Sequence, residues 1–216
     1  LDLGHTYSDI YGLNLRAEFN QMLGVDSRMI GPEEIRELAP PLDLREGKRL
    51  PVLAALYHPP AGVLRHDAVV WGLARGADRL GVELHPFTEV TGVSRENGRV
   101  TGVDSTRGHI DAGTVVSAAA GWSSTVAAMV GLDLPITTYP LQAFVTEPLK
   151  PFLHKTISSA NLHAYAYQTD RGEVVIGGPV DPYPTYSQRS TLNMLEELSM
   201  FILELIPCLR DAKILR

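Results

Sequence analysis

The sequence predicts a mixed α/β fold in two parts, one of the α/β type and one built from an antiparallel sheet with a helix. Three observations predict it. Between Asp67 and Gly131 a helical pattern, a short strand, an Asn-Gly hairpin, another strand and a second helix follow one another, with small residues between the last two. Beyond Asp133 the texture changes to alternating strands and proline-punctuated loops. Near the C-terminus Leu195, Leu198, Ile202 and Leu205 fall on one helical stripe, with Pro207 beyond its end.

In chain order, Tyr11 to Gly24 reads as helical, and Gly31-Pro32-Glu33-Glu34 opens a short helix with Pro at its first position and acids near its positive end. Pro40 and Pro41 stop it. A strand is expected within Val52 to Tyr57. Asp67 is the expected N-cap of a helix from Ala68 to Leu80, which carries Val70, Leu73, Ala77 and Leu80 on one face and stops at Gly81. Val82 to Leu84 follows as a short strand. Glu89 to Val93 and Arg99 to Asp104 flank Asn97-Gly98, a strong signal for a tight hairpin, and His109 to Asp111 adds a third strand. Thr114 to Ser117 has the pattern of a buried strand, and a helix runs from about Ser123 to Val130, stopped by Gly131. In the last part Leu141 to Thr146 and Asn161 to Gln168 alternate as strands, and the turn Asp170-Arg171-Gly172 joins the second to Glu173 to Ile176.

Composition excludes several classes. The 216 residues carry 19 Lys and Arg against 25 Asp and Glu, a formal net charge of −6, with the basic residues scattered, so a nucleic-acid partner has no support. The apolar runs are far shorter than the roughly 18 residues of a membrane span, and nothing in the first residues given reads as a signal peptide. Cys208 is the single cysteine, which excludes an internal disulfide and a cysteine metal cluster and points to a reducing, cytoplasmic setting. No metal site is expected. The chain starts at Leu1 without Met and ends in the extended-looking run 213–216, so an internal piece of a longer protein is one expectation and processing the other.

Three constellations rise above this background. Arg65-His66-Asp67 stands directly before the first clear amphipathic helix, where the positive end of the helix favours a neutral imidazole at His66; the alternative is a plain cap with a surface histidine. The run from Val115 to Ser123 places Ala118, Ala119, Ala120 and Gly121 at a strand-to-helix turn, where small side chains let a ligand approach the backbone, or simply let strand and helix pack tightly. No G-x-G-x-x-G occurs anywhere in the chain. The third is the polar-aromatic face His163, Tyr165 and Tyr167, with Gln168 beside it, which either lines a pocket over a flat ligand or is the wet side of a sheet. His5, His58, His85, His109 and His154 have no ligand spacing and are expected in solvated loops or strands.

The string from Gly62 through Arg65-His66-Asp67-Ala68-Val69-Val70-Trp71-Gly72 to Val93, together with Val115 to Ser123, Tyr139-Pro140-Leu141-Gln142 and Gly172 to Gly178, resembles the D-amino-acid-oxidase-like FAD-dependent oxidoreductases. Within that family the resemblance is to the β-subunit branch of the heterotetrameric sarcosine oxidases. It implies a partial FAD-binding α/β domain at 57–133, a helical and loop segment of the substrate domain at 1–56, and the substrate-domain sheet and helix at 134–216. It also implies noncovalent FAD, oxidative demethylation of sarcosine to glycine, formaldehyde and hydrogen peroxide, and a second flavin, FMN, attached covalently to His66. Val90, Ala118, Ala119, Gly121 and Trp122 fall where the family touches FAD, and Tyr165 where a relative has a substrate-pocket tyrosine. Partner subunits of the same oxidase type are implied, and no membrane or nucleic acid.

The resemblance departs at both ends. The family's glycine-rich pyrophosphate turn and the arginine that meets the substrate carboxylate precede the matching segment, and a C-terminal part of the FAD site follows it, so the segment alone is expected to be inactive. A flavin-site histidine of the monomeric relatives has no counterpart, since Pro179 and Val180 occupy that region. Two alternatives stand beside this reading: a related dimethylglycine, proline or opine dehydrogenase, and a non-catalytic subunit-interaction domain.

Overall fold

The structure is a computed structural model that describes residues 1–159 and 161–215; the final residue of the extended run, Arg216, lies outside the described residues. The chain divides into two compact units. Leu1–Val63, Pro140–Tyr183 and Ser187–Arg216 form the first, and Leu64–Tyr139 with Pro184–Tyr186 form the second.

The first unit is built on a mixed sheet. Its strands are β1 (Asp2–Gly4), β2 (Arg28–Ile30), β3 (Ala54–Tyr57), β7 (Leu141–Val145), β8 (Ile157–Ser159), β9 (Ala164–Gln168) and β10 (Val174–Val180), in the order β2-β3-β1-β8-β9-β10-β7. The pair β1 and β8 is parallel, and the other pairs are antiparallel. Helix α1 (Tyr7–Met22) begins earlier than the sequence pattern indicates, because Thr6 and Asp9 form a reciprocal capping box at its start. Helix α2 (Pro32–Leu38) has Pro at its first turn as expected, and α5 (Leu192–Leu205) is capped by the Thr191 hydroxyl.

Ladder partners share a face, so the register sorts the side chains into two layers. One face carries Ile30, Ala55, Leu3, Ala164, Ile157, Ala166, Ile176 and Phe144, all buried in a core with Met194, Leu198, Ile202 and Leu205 of α5 and Ile35 of α2. On the other face a row runs Met29, Leu56, Asp2, Ser158, Tyr165, Gly177, Ala143. Helix α1 covers only its beginning, where Leu13 and Ala17 pack on Leu56 and Met29. The half formed by β8, β9, β10 and β7 has no helix over it on this side among the described residues.

The second unit contains α3 (His66–Arg79), the antiparallel meander β4 (Val90–Glu96), β5 (Arg99–Ser105) and β6 (Gly108–Asp111), and α4 (Ser123–Ala128). The hairpin between β4 and β5 turns on Asn97 and Gly98, both at positive φ (51° and 77°), as the Asn-Gly signal requires. Three expectations fail here. Helix α3 starts at His66 with Arg65 in the cap position, and Asp67 is its second residue, with a carboxylate oxygen 2.9 Å from the amide of Ala68. Neither Val82 to Leu84 nor Thr114 to Ser117 forms a strand, and Val116 is exposed. A strand needs a neighbouring ladder for its backbone groups, and among the described residues neither segment has one.

Candidate functional site

The second unit holds most of the candidate residues. His66 is the first residue of α3 and is exposed, as is the helix beside it: no residue of α3 is buried, and Val70, Trp71 and Leu73 stand in solvent. Val90 opens β4 half-buried, paired with Ser105.

The small-residue turn has a built geometry. Ala118 is exposed and Ala119 half-buried; a single 3-10 turn over Ala120–Trp122 follows, with Ala120 at φ 46°. Thr138 supports the turn from the next segment, its hydroxyl donating to the Gly121 carbonyl at 2.6 Å. A Cβ on Gly121 would stand 3.1 Å from the Thr138 methyl, so glycine permits this close approach. Trp122 stacks on Tyr186 with ring centroids 4.4 Å apart. One face of the indole is thereby occupied by protein, while Ala118 and Ala120 are exposed.

Tyr165 belongs to the first unit. It lies on β9 with Tyr167 two residues on, their rings 6.4 Å apart and nearly parallel (9°), on the half of the sheet that α1 leaves open. Desolvation raises the pKa of the Tyr165 hydroxyl, with the neighbouring Tyr167 adding to it, so the group is a neutral hydrogen-bonding phenol at physiological pH. At the row's other side Asp2 accepts from Ser158 Oγ at 3.1 Å and pairs with Arg16 of α1 at 2.6 Å.

Two members of the expected polar-aromatic face do not join it. His163 precedes the strand at φ 47°, and its carbonyl lies beneath Gly178. The Gln168 amide is spent internally: its oxygen accepts from the backbone amides of Phe152 and Leu153, and its nitrogen donates to the carbonyls of Leu149, Lys150 and Gly172.

Sequence reasoning passed over two buried polar groups. His5, expected in solvent, is 4% exposed. Its Nδ1 lies 3.0 Å from the Pro51 carbonyl, an acceptor only, so that nitrogen carries a proton, and Nε2 is hydrogen-bonded to Ser159 Oγ at 2.8 Å. Gln142 donates to both carboxylate oxygens of buried Asp181 at 2.8 Å, and its oxygen accepts from the amide of Thr191. Gln142 shares the core side of β7 with Phe144, while Leu141 of the more apolar phase is exposed, so the alternation carried no signal for it. A cavity of about 350 Å³ bounded by Gln142, Phe144, Met194 and Leu198 lies on that core side, away from the tyrosine face.

Comparison with known proteins follows the same pattern. The family described as FAD dependent oxidoreductase matches residues 4–216. All 216 residues align with the sarcosine oxidase subunit beta of an Arthrobacter species at 39% identity and of Rhodobacter capsulatus at 41%, covering 53% and 52% of those proteins. The chain therefore spans about half the length of these curated relatives. Among solved structures, an L-proline dehydrogenase from P. horikoshii superimposes with a TM-score of 0.87 at 31% identity, over 99% of this chain and 57% of that one.

Proposed function

Because the chain belongs to the FAD-dependent oxidoreductase family, we propose that it is part of a flavin-dependent amine oxidase subunit of the sarcosine oxidase β type. The observation that carries this reading is the alignment of every residue with proteins named as that subunit. The reaction is sarcosine, oxygen and water going to glycine, formaldehyde and hydrogen peroxide.

The residues present fit part of a dinucleotide site. The turn 118–121 carries side chains no larger than methyl, Ala118 and Ala120 are exposed, and Thr138 holds the turn in place. Ala118, Ala119, Gly121 and Trp122 would hold FAD there, with Val90 contributing backbone groups. Bound FAD supplies the two-electron acceptor for amine oxidation. Tyr165 and Tyr167 supply a flat wall on which the amine rests, and the neutral Tyr165 hydroxyl keeps its proton while it orients the substrate.

His66 fits covalent attachment of FMN, since its imidazole is exposed at the start of α3. The subunit names of the relatives support a multi-subunit oxidase; we read it as a heterotetramer, with residues 57–133 as part of its FAD-binding domain. The lone thiol of Cys208 supports a cytoplasmic setting. No helix among the described residues is long and apolar enough to cross a membrane.

A second reading, a dehydrogenase acting on proline or dimethylglycine and passing electrons to a carrier, is favoured by the likeness to the L-proline dehydrogenase. Peroxide release from sarcosine, dimethylglycine and proline by the native complex separates the two. Sarcosine is expected to give peroxide. Dye reduction by proline without peroxide would establish the second reading, and silence from all three amines would overturn both. Acid-precipitated protein should stay yellow and lose its colour in His66→Ala; colourless wild-type protein would refute the FMN attachment.

A further inference from the structure

We propose that Gly177 is the positioning residue for Tyr165, laying its phenol ring across β10 on the open half of the sheet. The inference rests on the reading of the tyrosine face as the substrate face, and identifies what sets that face's shape.

Gly177 and Tyr165 are ladder partners, so both point away from the core. A Cβ built on Gly177 falls onto the ζ carbon and hydroxyl of Tyr165 and within 2.6 Å of its ε1 carbon. No L side chain could occupy the space the phenol now fills. Gly177 is buried although, among the described residues, no helix covers this half of the sheet, and the atoms nearest to its vacant Cβ position belong to the Tyr165 side chain.

Conformation does not explain the glycine. Gly177 is absent from the residues at positive φ, so other residues could adopt its backbone geometry, and the requirement is for room alone. The next residue makes the contrast clear. Gly178 points to the opposite face, where a Cβ would strike the His163 carbonyl and Leu198 of α5. The Gly-Gly pair therefore serves two purposes, one on each side of the sheet. At Gly178 the obstacle includes rigid backbone, whereas at Gly177 it is the far end of a side chain that can swing away.

With the ring lying flat, Tyr165 and Tyr167 are parallel and form a continuous wall. With a methyl at residue 177 the ring must lift, which breaks the wall and moves the hydroxyl. An aromatic ring over a strand glycine also stabilises a sheet by covering its backbone. That purely structural role would appear in unfolding but would not couple substrate kinetics to Tyr165.

The test uses the native complex labelled with 3-fluorotyrosine, with sarcosine as substrate. In Gly177→Ala the fluorine resonance of Tyr165, assigned by its loss in Tyr165→Phe, should move while those of Tyr7 and Tyr11 stay. The kcat/KM for sarcosine should fall about tenfold. In a Tyr165→Ala background the same glycine substitution should change kcat/KM less than about twofold. An unmoved resonance, or an equal loss in both backgrounds, would overturn the proposal. If the wild-type complex oxidises none of the amines, the functional reading fails on that result alone, and the fluorine resonance still decides whether Gly177 positions the ring.

Discussion

A part-buried charge cluster ties the loop after α2 to the end of α5. The Lys48 ammonium lies 3.2 Å from Asp43 Oδ2 and 3.5 Å from Glu204 Oε1, and it also donates to the Glu204 carbonyl in the last turn of α5. The Lys48 and Asp43 side chains are 10% and 8% exposed, so water screens the pair little. The Asp43 carboxyl is held well below the usual carboxylate range, chiefly by its hydrogen bonds from Arg45 and further by Lys48. A depressed carboxylate stabilises the fold above its unfolded pKa of about 3.9, and that stabilisation is lost as pH falls through the lower folded value. Lys48→Met should cost about 2 kcal/mol, because Asp43 keeps Arg45 but loses its buried partner. Denaturant midpoints at neutral pH check this. Asp43→Asn should flatten the decline of the midpoint in acid, and an unchanged acid slope would refute the assignment. None of this was legible in the sequence, because Lys48 and Glu204 are distant in the chain and periodicity carries no information about pairing. Gln142 was not legible either, since the alternation sets Gln142, Phe144 and Thr146 against the more apolar Leu141, Ala143 and Val145, and it is the first set that the structure buries.

At the scale of elements, turn and stripe chemistry was read well, the caps of α1 and α3 were not, and non-local pairing was not. The Asn97-Gly98 hairpin, the Pro32 helix start and the α5 stripe depend on neighbours within a few residues, and each forms where the pattern placed it. The segments Val82 to Leu84 and Thr114 to Ser117 had strand composition but have no ladder among the described residues, and composition cannot supply one. Strand β10 shows what register adds. Its alternation places Gly178 on the core side, a fact invisible until β9 and α5 are set against it. Gly178→Ala should lower stability by about 2 to 3 kcal/mol, since the added methyl meets the His163 carbonyl as well as Leu198 and the sheet must shift. Gly177→Ala should cost less than half as much. Thermal unfolding of the two variants side by side measures the difference, and equal losses would mean that the two faces of β10 are equally rigid.

For the molecule as a whole, the two units differ in how their apolar residues are used. The first has a continuous core beneath its sheet, with Leu3, Ile35, Ile157, Ile176, Leu198 and Leu205 fully buried. In the second, α3 is amphipathic in sequence yet buries nothing; Leu64, Trp71, Leu73 and Leu80 are each at least 60% exposed. Amphipathicity thus predicted the helix correctly but could not say what its apolar face meets, because a stripe records the need for a partner and not its identity. A helix of 14 residues without packing is marginal in water. The amides of α3 should therefore exchange with solvent orders of magnitude faster than those of α5, whose stripe is buried, when the 216-residue chain is studied by hydrogen exchange. The exposed stripe of Val70, Leu73 and Leu80 along one face of α3 should drive self-association, visible as a light-scattering mass that rises with concentration. Replacing Val70 and Leu73 by Glu should hold the mass at that of the monomer while leaving exchange in α5 unchanged. A monomer at all concentrations, with α3 protected as strongly as α5, would show that this face is covered within the chain itself.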